Sequence, residues 1–166
     1  MSTHPPLPNL WPGNCFGCSP HNPHGLKLEF FRTDEGAGAH CTLAGHLCGM
    51  EGIAHGGIVS TLLDEAAAWA LIAHARKLGL TTDMNIRFVK PVPTGRPLSV
   101  QARVLEHGRK QARTRAFVTS DEGELLAEAE SNWMLMSLSA AARFTGLPRE
   151  RLEAFVAALH PAVRAP

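Results

Sequence analysis

The chain has little net charge, no long uninterrupted apolar segment and no export signal. Its 166 residues carry a formal net charge of +1, with 19% charged residues, which argues against a dedicated nucleic-acid binder. Without about 18 uninterrupted apolar residues, no membrane span is predicted. The N-terminus has no basic region followed by an apolar run, so we expect a cytoplasmic protein. Length and 45% hydrophobic content suit one compact domain.

Only four cysteines occur, at positions 15, 18, 41 and 48. A disulfide framework is not expected in a chain of this size without an export signal. Cys15 and Cys18 have metal-like spacing, and three histidines lie nearby, at positions 21, 24 and 46. However, a structural zinc site usually has two tight pairs, and Cys41 and Cys48 are seven residues apart. We therefore predict no metal and no cofactor, and interpret the cysteines as thiols of loops or of the core.

The most informative stretch runs from His55 to Ala66, where a double glycine precedes an apolar segment that carries a carboxylate. The segment from Ile58 to Ala75 is apolar around most of its circumference, which predicts a buried central helix over about 56–77. The N–H groups at the start of this helix favour developing negative charge, as an oxyanion hole does. Asp64 would need a partner or a chemical role there. Alternatively, Asp64 and Glu65 form a solvated stripe on an amphipathic helix.

Strand periodicity surrounds this helix on both sides. Two short strands are expected at 27–33 and 39–46, separated by a turn at 34–38. After Gly79 four strands alternate apolar and polar residues, the last two at about 111–120 and 124–136. One long helix between early strands and later hairpins predicts an α+β hot-dog fold, a curved antiparallel sheet wrapped around one helix. We assign residues 1–24 to an N-terminal arm and loop, 25–137 to this domain, and 138–166 to a C-terminal helical appendage with a helix at about 148–159.

From about Asn14 to Met136 the chain resembles hot-dog acyl-CoA thioesterases of the PaaI-like and thioesterase-superfamily-member type. His55, Gly56 and Gly57, with Asp64 nine residues after the histidine, carry the resemblance. Further matching segments are 15–18, 22–26, 82–88 and 90–93. The resemblance implies hydrolysis of an acyl-CoA thioester to free acid and coenzyme A. In one branch of the family an asparagine that helps orient the thioester or water precedes the histidine by six residues. Gly49 stands here, which leaves the substrate preference open more than the reaction.

Spacing along the helix also predicts assembly. Gly56 and Asp64 are eight residues apart, about 12 Å along the axis, whereas a base acts within about 3.5 Å of its target. Two copies must therefore contribute to each site, which predicts a homodimer or homotetramer, as the resemblance also implies. The Gly56 N–H would polarise the carbonyl, and Asp64 of the partner subunit would act as base or nucleophile. His55 is expected to support the loop, and by the resemblance Thr81 orients the attacking water or lies on the surface.

The remaining candidates bind substrate. Gly57 lets the backbone approach a ligand, and Met84 could line an acyl pocket or pack in the core. By the resemblance, Arg109 in the turn 106–110 is the best contact for coenzyme phosphates, and Lys90 is second. One alternative is a non-catalytic acyl-CoA-binding protein, against which the aspartate argues. Another is a hot-dog hydratase, whose histidine signature does not appear here.

Overall fold

The computed structural model describes residues 6–160, which include a six-stranded antiparallel sheet packed on a central helix. The strands are β1 (Phe30–Arg32), β2 (Gly36–Thr42), β3 (Cys48–Met50), β4 (Ile53–Ala54), β5 (Leu78–Phe88), β6 (Pro97–His107), β7 (Gln111–Ser120) and β8 (Leu125–Met136). The helices are α1 (Gly56–Ala70), α2 (Leu138–Thr145) and α3 (Arg149–Ala158). Six strands make the main sheet in the order β1-β2-β6-β7-β8-β5, and β3 and β4 form a separate ribbon. The predicted α+β hot-dog fold is confirmed.

Helix α1 is the centre of the core because its apolar residues cover more than one face. Seven of its fifteen residues are buried, among them Leu62, Leu63 and Trp69, and the helix packs chiefly on β6, β7 and β2. The helical segment Gly56–Ala75, 20 residues with hydropathy 1.3, has the length and composition of a membrane span, and buried core helices share that property. Here the sheet covers this segment.

Strand β5 lies at one edge of the main sheet. Within residues 6–160 it pairs with β8 alone, so the backbone groups along its other side face outward. The strand is eleven residues long, and exposed apolar side chains follow at its end: Phe88 is 54% and Val89 38% exposed. A long edge strand with apolar side chains is a natural site for pairing with another chain.

The first two strands differ from the sequence prediction in their boundaries. Strand β1 covers Phe30–Arg32 rather than 27–33. Strand β2 begins at Gly36, inside the predicted turn 34–38, and ends at Thr42 rather than at residue 46. The glycines that suggested a turn serve close packing instead, because a Cβ at Gly36 would lie 2.1 Å from the Ala102 carbonyl oxygen. The predicted helix 56–77 is confirmed as α1 followed by a π-helical turn, Leu71–Ala75, which ends where Arg76 takes a left-handed conformation (φ 57°).

The described part of the N-terminal arm packs against the C-terminal helix and α1. The Trp11 ring meets Phe155 of α3 edge-on at 5.4 Å between centroids, and Phe155 meets Trp69 of α1 at 5.6 Å. The predicted helix at 148–159 is confirmed as α3, with Leu152 and Phe155 buried. Residues 1–5 and 161–166 of the predicted arm and appendage lie outside the described residues.

Candidate active site

His55 caps the first turn of α1 and determines which amide remains available. Its extended backbone makes it the N-cap, and its Nδ1 accepts the Gly57 N–H at 2.9 Å. The Ile58 and Val59 N–H groups donate to the His55 carbonyl. The Gly56 N–H has no acceptor among the described residues, and it lies at the positive end of the helix dipole. The capping geometry therefore leaves one N–H, that of Gly56, for a ligand.

Asp64 is held by a strand rather than by its own helix. The Thr81 hydroxyl of β5 donates to Asp64 Oδ1 at 2.6 Å, and both side chains are half-buried. Within the described chain this is the only hydrogen bond to the carboxylate, so Oδ2 is available for a further partner. The register of β5 against β8 shifts between Thr81 and Asp83, an irregularity that re-aims side chains. Thr81 is thus a partner of Asp64 and not a free surface residue.

The two candidate groups lie near opposite ends of β5. Asp64 is tied to Thr81, near the beginning of the strand, whereas a Cβ at Gly56 would lie 3.5 Å from Phe88, the last residue of the strand. Thr81 and Phe88 are seven residues apart, about 23 Å in an extended strand. One chain therefore does not bring the Gly56 amide and the Asp64 carboxylate together.

The predicted substrate-binding residues are also spread along the sheet. Arg109 is exposed in the β6–β7 turn and makes no ion pair within the described residues 6–160. Lys90 follows β5 at the other end and is paired with Glu124. Met84 is half-buried on β5 and packs against the core, whereas Gly57 is exposed beside His55.

An open groove of about 840 Å³ runs between the β6–β7 turn and the beginning of β5. Thr82, Lys110 and Arg113 are among its lining residues. Lys110 and Arg113, close to Arg109 in the chain, therefore line a groove next to Thr82, and Arg113 forms an ion pair with Glu106.

A second cluster lies beside α1, and sequence reasoning missed it. Glu65 accepts hydrogen bonds from the Cys15 thiol, at 3.3 Å to Oε2, and from the Trp69 indole N–H at 3.2 Å. Burial is the main cause that raises the pKa of Glu65 to about 8, and the adjacent Cys15 sulfur adds to this shift. The neighbouring Cys18 lowers the pKa of Cys15 by hydrogen bonding and has its own pKa raised by the same interaction. The alternative interpretation of Glu65 as a solvated residue is therefore wrong, and its place within an apolar helix was the available signal.

Gly49, six residues before His55 in the chain, lies next to the cap. A Cβ at Gly49 would lie 3.2 Å from both the Cα and the Cδ2 of His55. A side chain at position 49 would therefore crowd His55, so this position lies beside the N-terminus of α1.

Comparison with known proteins finds similarity to thioesterases. The family model described as thioesterase superfamily matches residues 51–127. Acyl-coenzyme A thioesterase 13 of Homo sapiens is 34% identical over 79 residues, covering 46% of this chain and 56% of the relative. The chain thus spans about half the length of the curated relatives it matches.

Solved structures share the fold. The E. coli PaaI protein of the phenylacetic acid degradation operon is 21% identical, with a TM-score of 0.61 over 66% of this chain and 83% of that one. The protein smu.793 of Streptococcus mutans UA159, solved bound to acetyl-CoA, is 20% identical, with a TM-score of 0.61 over 65% of this chain and 87% of that one. These structures have the same hot-dog fold as this chain, and residues 51–127 are similar to the thioesterase superfamily.

Proposed function

We propose that the chain is an acyl-CoA thioesterase whose two active sites are each built from two subunits. The observation that carries this proposal is the pairing of an unengaged helix N-terminal amide at Gly56 with a carboxylate at Asp64 that Thr81 orients. The relative in Homo sapiens named acyl-coenzyme A thioesterase 13 supports the reaction, and the acetyl-CoA complex of smu.793 supports the substrate class.

The free edge of β5 supports the assembly. If two β5 strands pair antiparallel about a two-fold axis between Met84 and Asn85, Thr81 of one copy lies opposite Phe88 of the other. Phe88 lies against Gly56, and Thr81 binds Asp64. The same pairing would therefore bring the amide of one subunit towards the carboxylate of the other, twice per dimer. It would also cover the exposed Phe88 and Val89.

In this dimer the thioester carbonyl oxygen would accept the Gly56 N–H, which stabilises the oxyanion of the transition state. Such a donor contributes about 2.7 to 4 kcal/mol. Asp64 of the partner subunit would take a proton from water, the hydroxide would attack the carbonyl carbon, and the coenzyme thiolate would leave and regain the proton. Direct attack by the carboxylate, giving an anhydride that water then cleaves, is the other route. His55 supports the site by holding the Gly57 amide.

Pairing of β5 strands would also gather the phosphate-binding candidates. Arg109 lies level with the beginning of β5, because β7 residue Gln111 and β5 residue Leu80 both pair with Met134. Lys90 of the partner subunit would approach this end of the strand. Two cations from two chains could then contact the coenzyme phosphates, provided that Lys90 exchanges Glu124 for the ligand.

The test is thiol release from a panel of aryl-CoA and fatty acyl-CoA substrates. Asp64→Asn should lower kcat by at least about a hundredfold, whereas Asp121→Asn, in the exposed β7–β8 turn, should leave it unchanged. Hydrolysis by the wild type with Asp64→Asn unimpaired would refute the mechanism. Binding of acyl-CoA by the wild type without thiol release would instead favour the non-catalytic binding protein.

A further inference from the structure

The cluster beside α1 has the composition of a transition-metal site. Cys15 Sγ, Cys18 Sγ and a Glu65 carboxylate oxygen all lie within 4.8 Å of one another. The two cysteines sit on one turn, closed by the Ser19 N–H donating to the Cys15 carbonyl at 3.1 Å. The carboxylate comes from the central helix, fifty residues later in the chain. We propose that Cys15, Cys18 and Glu65 bind one divalent transition-metal ion of the zinc class. The ion would link the N-terminal arm to α1.

The spacing fits a tetrahedral ion. With bonds of about 2.3 Å to sulfur and 2.0–2.2 Å to oxygen, neighbouring sulfur and oxygen ligands lie about 3.6 Å apart. Cys15 Sγ is 3.3 and 3.5 Å from the two Glu65 oxygens. Small side-chain adjustments would bring the three atoms onto one ion, and the adjoining cavity of about 180 Å³ leaves room for a water as fourth ligand.

The backbone between the two cysteines allows their turn to lie close to Glu65. A Cβ at Gly17 would lie 2.5 Å from Glu65 Oε2 and 2.6 Å from its Cδ, so only glycine allows the turn to lie directly on the carboxylate. The Gly17 N–H also points at Cys15 Sγ, at 3.3 Å. An amide donor to sulfur stabilises the thiolate form that a metal requires.

The described surroundings of Glu65 hold no cationic side chain that would stabilise its ionised form. No Lys, Arg or His is among the described groups that interact with Glu65, whose partners are the two cysteines and the Trp69 indole. Trp11, Trp69, Trp133 and Phe155 line the cavity beside it. Ionising a buried carboxyl in apolar surroundings is costly, and one divalent ion would offset two of the three negative charges that Glu65 and the two cysteines carry when ionised. Sulfur ligands exclude Mg²⁺ and Ca²⁺ and suit Zn²⁺.

This geometry also explains why cysteine spacing alone argued against a metal. A zinc site of two cysteine pairs would need Cys41 and Cys48, and among the described residues neither joins the cluster. Glu65 takes the place of the second pair, and no sequence spacing links it to Cys15 and Cys18.

The test measures metal and does not depend on thioester hydrolysis. The full-length chain, purified under reducing conditions, is stripped with a chelator and titrated with Co²⁺ and then with Zn²⁺. We expect about one ion per chain, thiolate-to-cobalt charge-transfer absorption that Zn²⁺ abolishes, and a higher melting temperature with Zn²⁺. Cys18→Ser and Glu65→Gln should each weaken binding at least about tenfold.

Cys48→Ser is the matched control and should bind as the wild type does. Circular dichroism establishes that each variant is folded. Folded wild-type protein with fully reduced thiols that gives no cobalt–thiolate absorption overturns the proposal. A second result would also overturn the proposal. In it, mass spectrometry detects a Cys15–Cys18 disulfide in protein isolated without reductant, and the protein takes up no metal after reduction. Equal weakening by Cys48→Ser would place the ion elsewhere and also contradict it.

Discussion

Two variants that are each inactive should restore activity when they share a dimer. Gly56→Pro removes the N–H proposed to bind the oxyanion, and proline is tolerated at the first position of a helix. The residue before it, His55, already has the extended backbone (φ −62°, ψ 138°) that proline requires. We expect Gly56→Pro to lower kcat by about a hundred- to a thousandfold. Gly56→Ala keeps the N–H and meets Phe88 at an ordinary 3.5 Å, so it should keep most activity.

The second variant is Asp64→Asn, and the two chains are co-expressed with different tags so that mixed dimers can be purified. In a mixed dimer one site receives both substituted residues, and the other receives Gly56 from one chain and Asp64 from the other. We expect about half of wild-type thiol release, because one site of two is intact. If mixed dimers are no more active than the two single variants, both groups act within one chain and the composite site is refuted.

Four further predictions follow from single contacts. Thr81→Val should lower kcat about ten- to a hundredfold, because it removes a hydrogen bond to the Asp64 carboxylate. Thr81→Ser keeps the hydroxyl and should leave kcat unchanged, and steady-state kinetics of both variants tests this. Arg109→Ala should raise KM about tenfold for acyl-CoA but not for a thioester of a thiol without phosphates, and Arg151→Ala, on exposed α3 surface, should change neither. Phe155→Ala should lower the free energy of unfolding by about 3–5 kcal/mol in urea, and a loss under about 1 kcal/mol would contradict its place in the core. Arg115 and Arg87 lower the pKa of Glu128, so the stability that the ionised Glu128 contributes is lost as pH falls. Glu128→Gln should therefore reduce the fall in urea midpoint between neutral pH and about pH 3. An unchanged dependence of the midpoint on pH would refute this.

Sequence patterns predicted the helices and strands better than the contacts between them. The run from Gly56 to Ala75 is apolar on most sides and predicted a central helix, and alternation predicted the later strands, since each pattern belongs to one element. The turn predicted from the glycines of β2 is wrong because a glycine indicates either a turn or close packing. Only the neighbouring strand, with the Ala102 carbonyl against Gly36, distinguishes the two.

The same holds for the candidate site, whose residues could be predicted from sequence although their contacts could not. Gly56, Asp64 and Thr81 could be singled out from sequence, yet the hydrogen bond between Asp64 and Thr81 depends on how β5 runs past α1. The pairing of Glu65 with Cys15 and Cys18 could not be predicted, because the two cysteines come from a loop about fifty residues earlier in the chain. Spacing rules detect ligands only when they are close in sequence.

Asp64 and Glu65 show why an apolar helix can carry two neighbouring carboxylates. Successive residues of a helix point about 100° apart, so Asp64 reaches Thr81 on the edge strand while Glu65 reaches Cys15 under the N-terminal arm. The proposed ion on Glu65 would fix the rotation of α1 about its axis, and the same rotation sets the direction of Asp64. Loss of the ion should therefore reduce thioester hydrolysis through misalignment of Asp64, with less effect on coenzyme binding at Arg109.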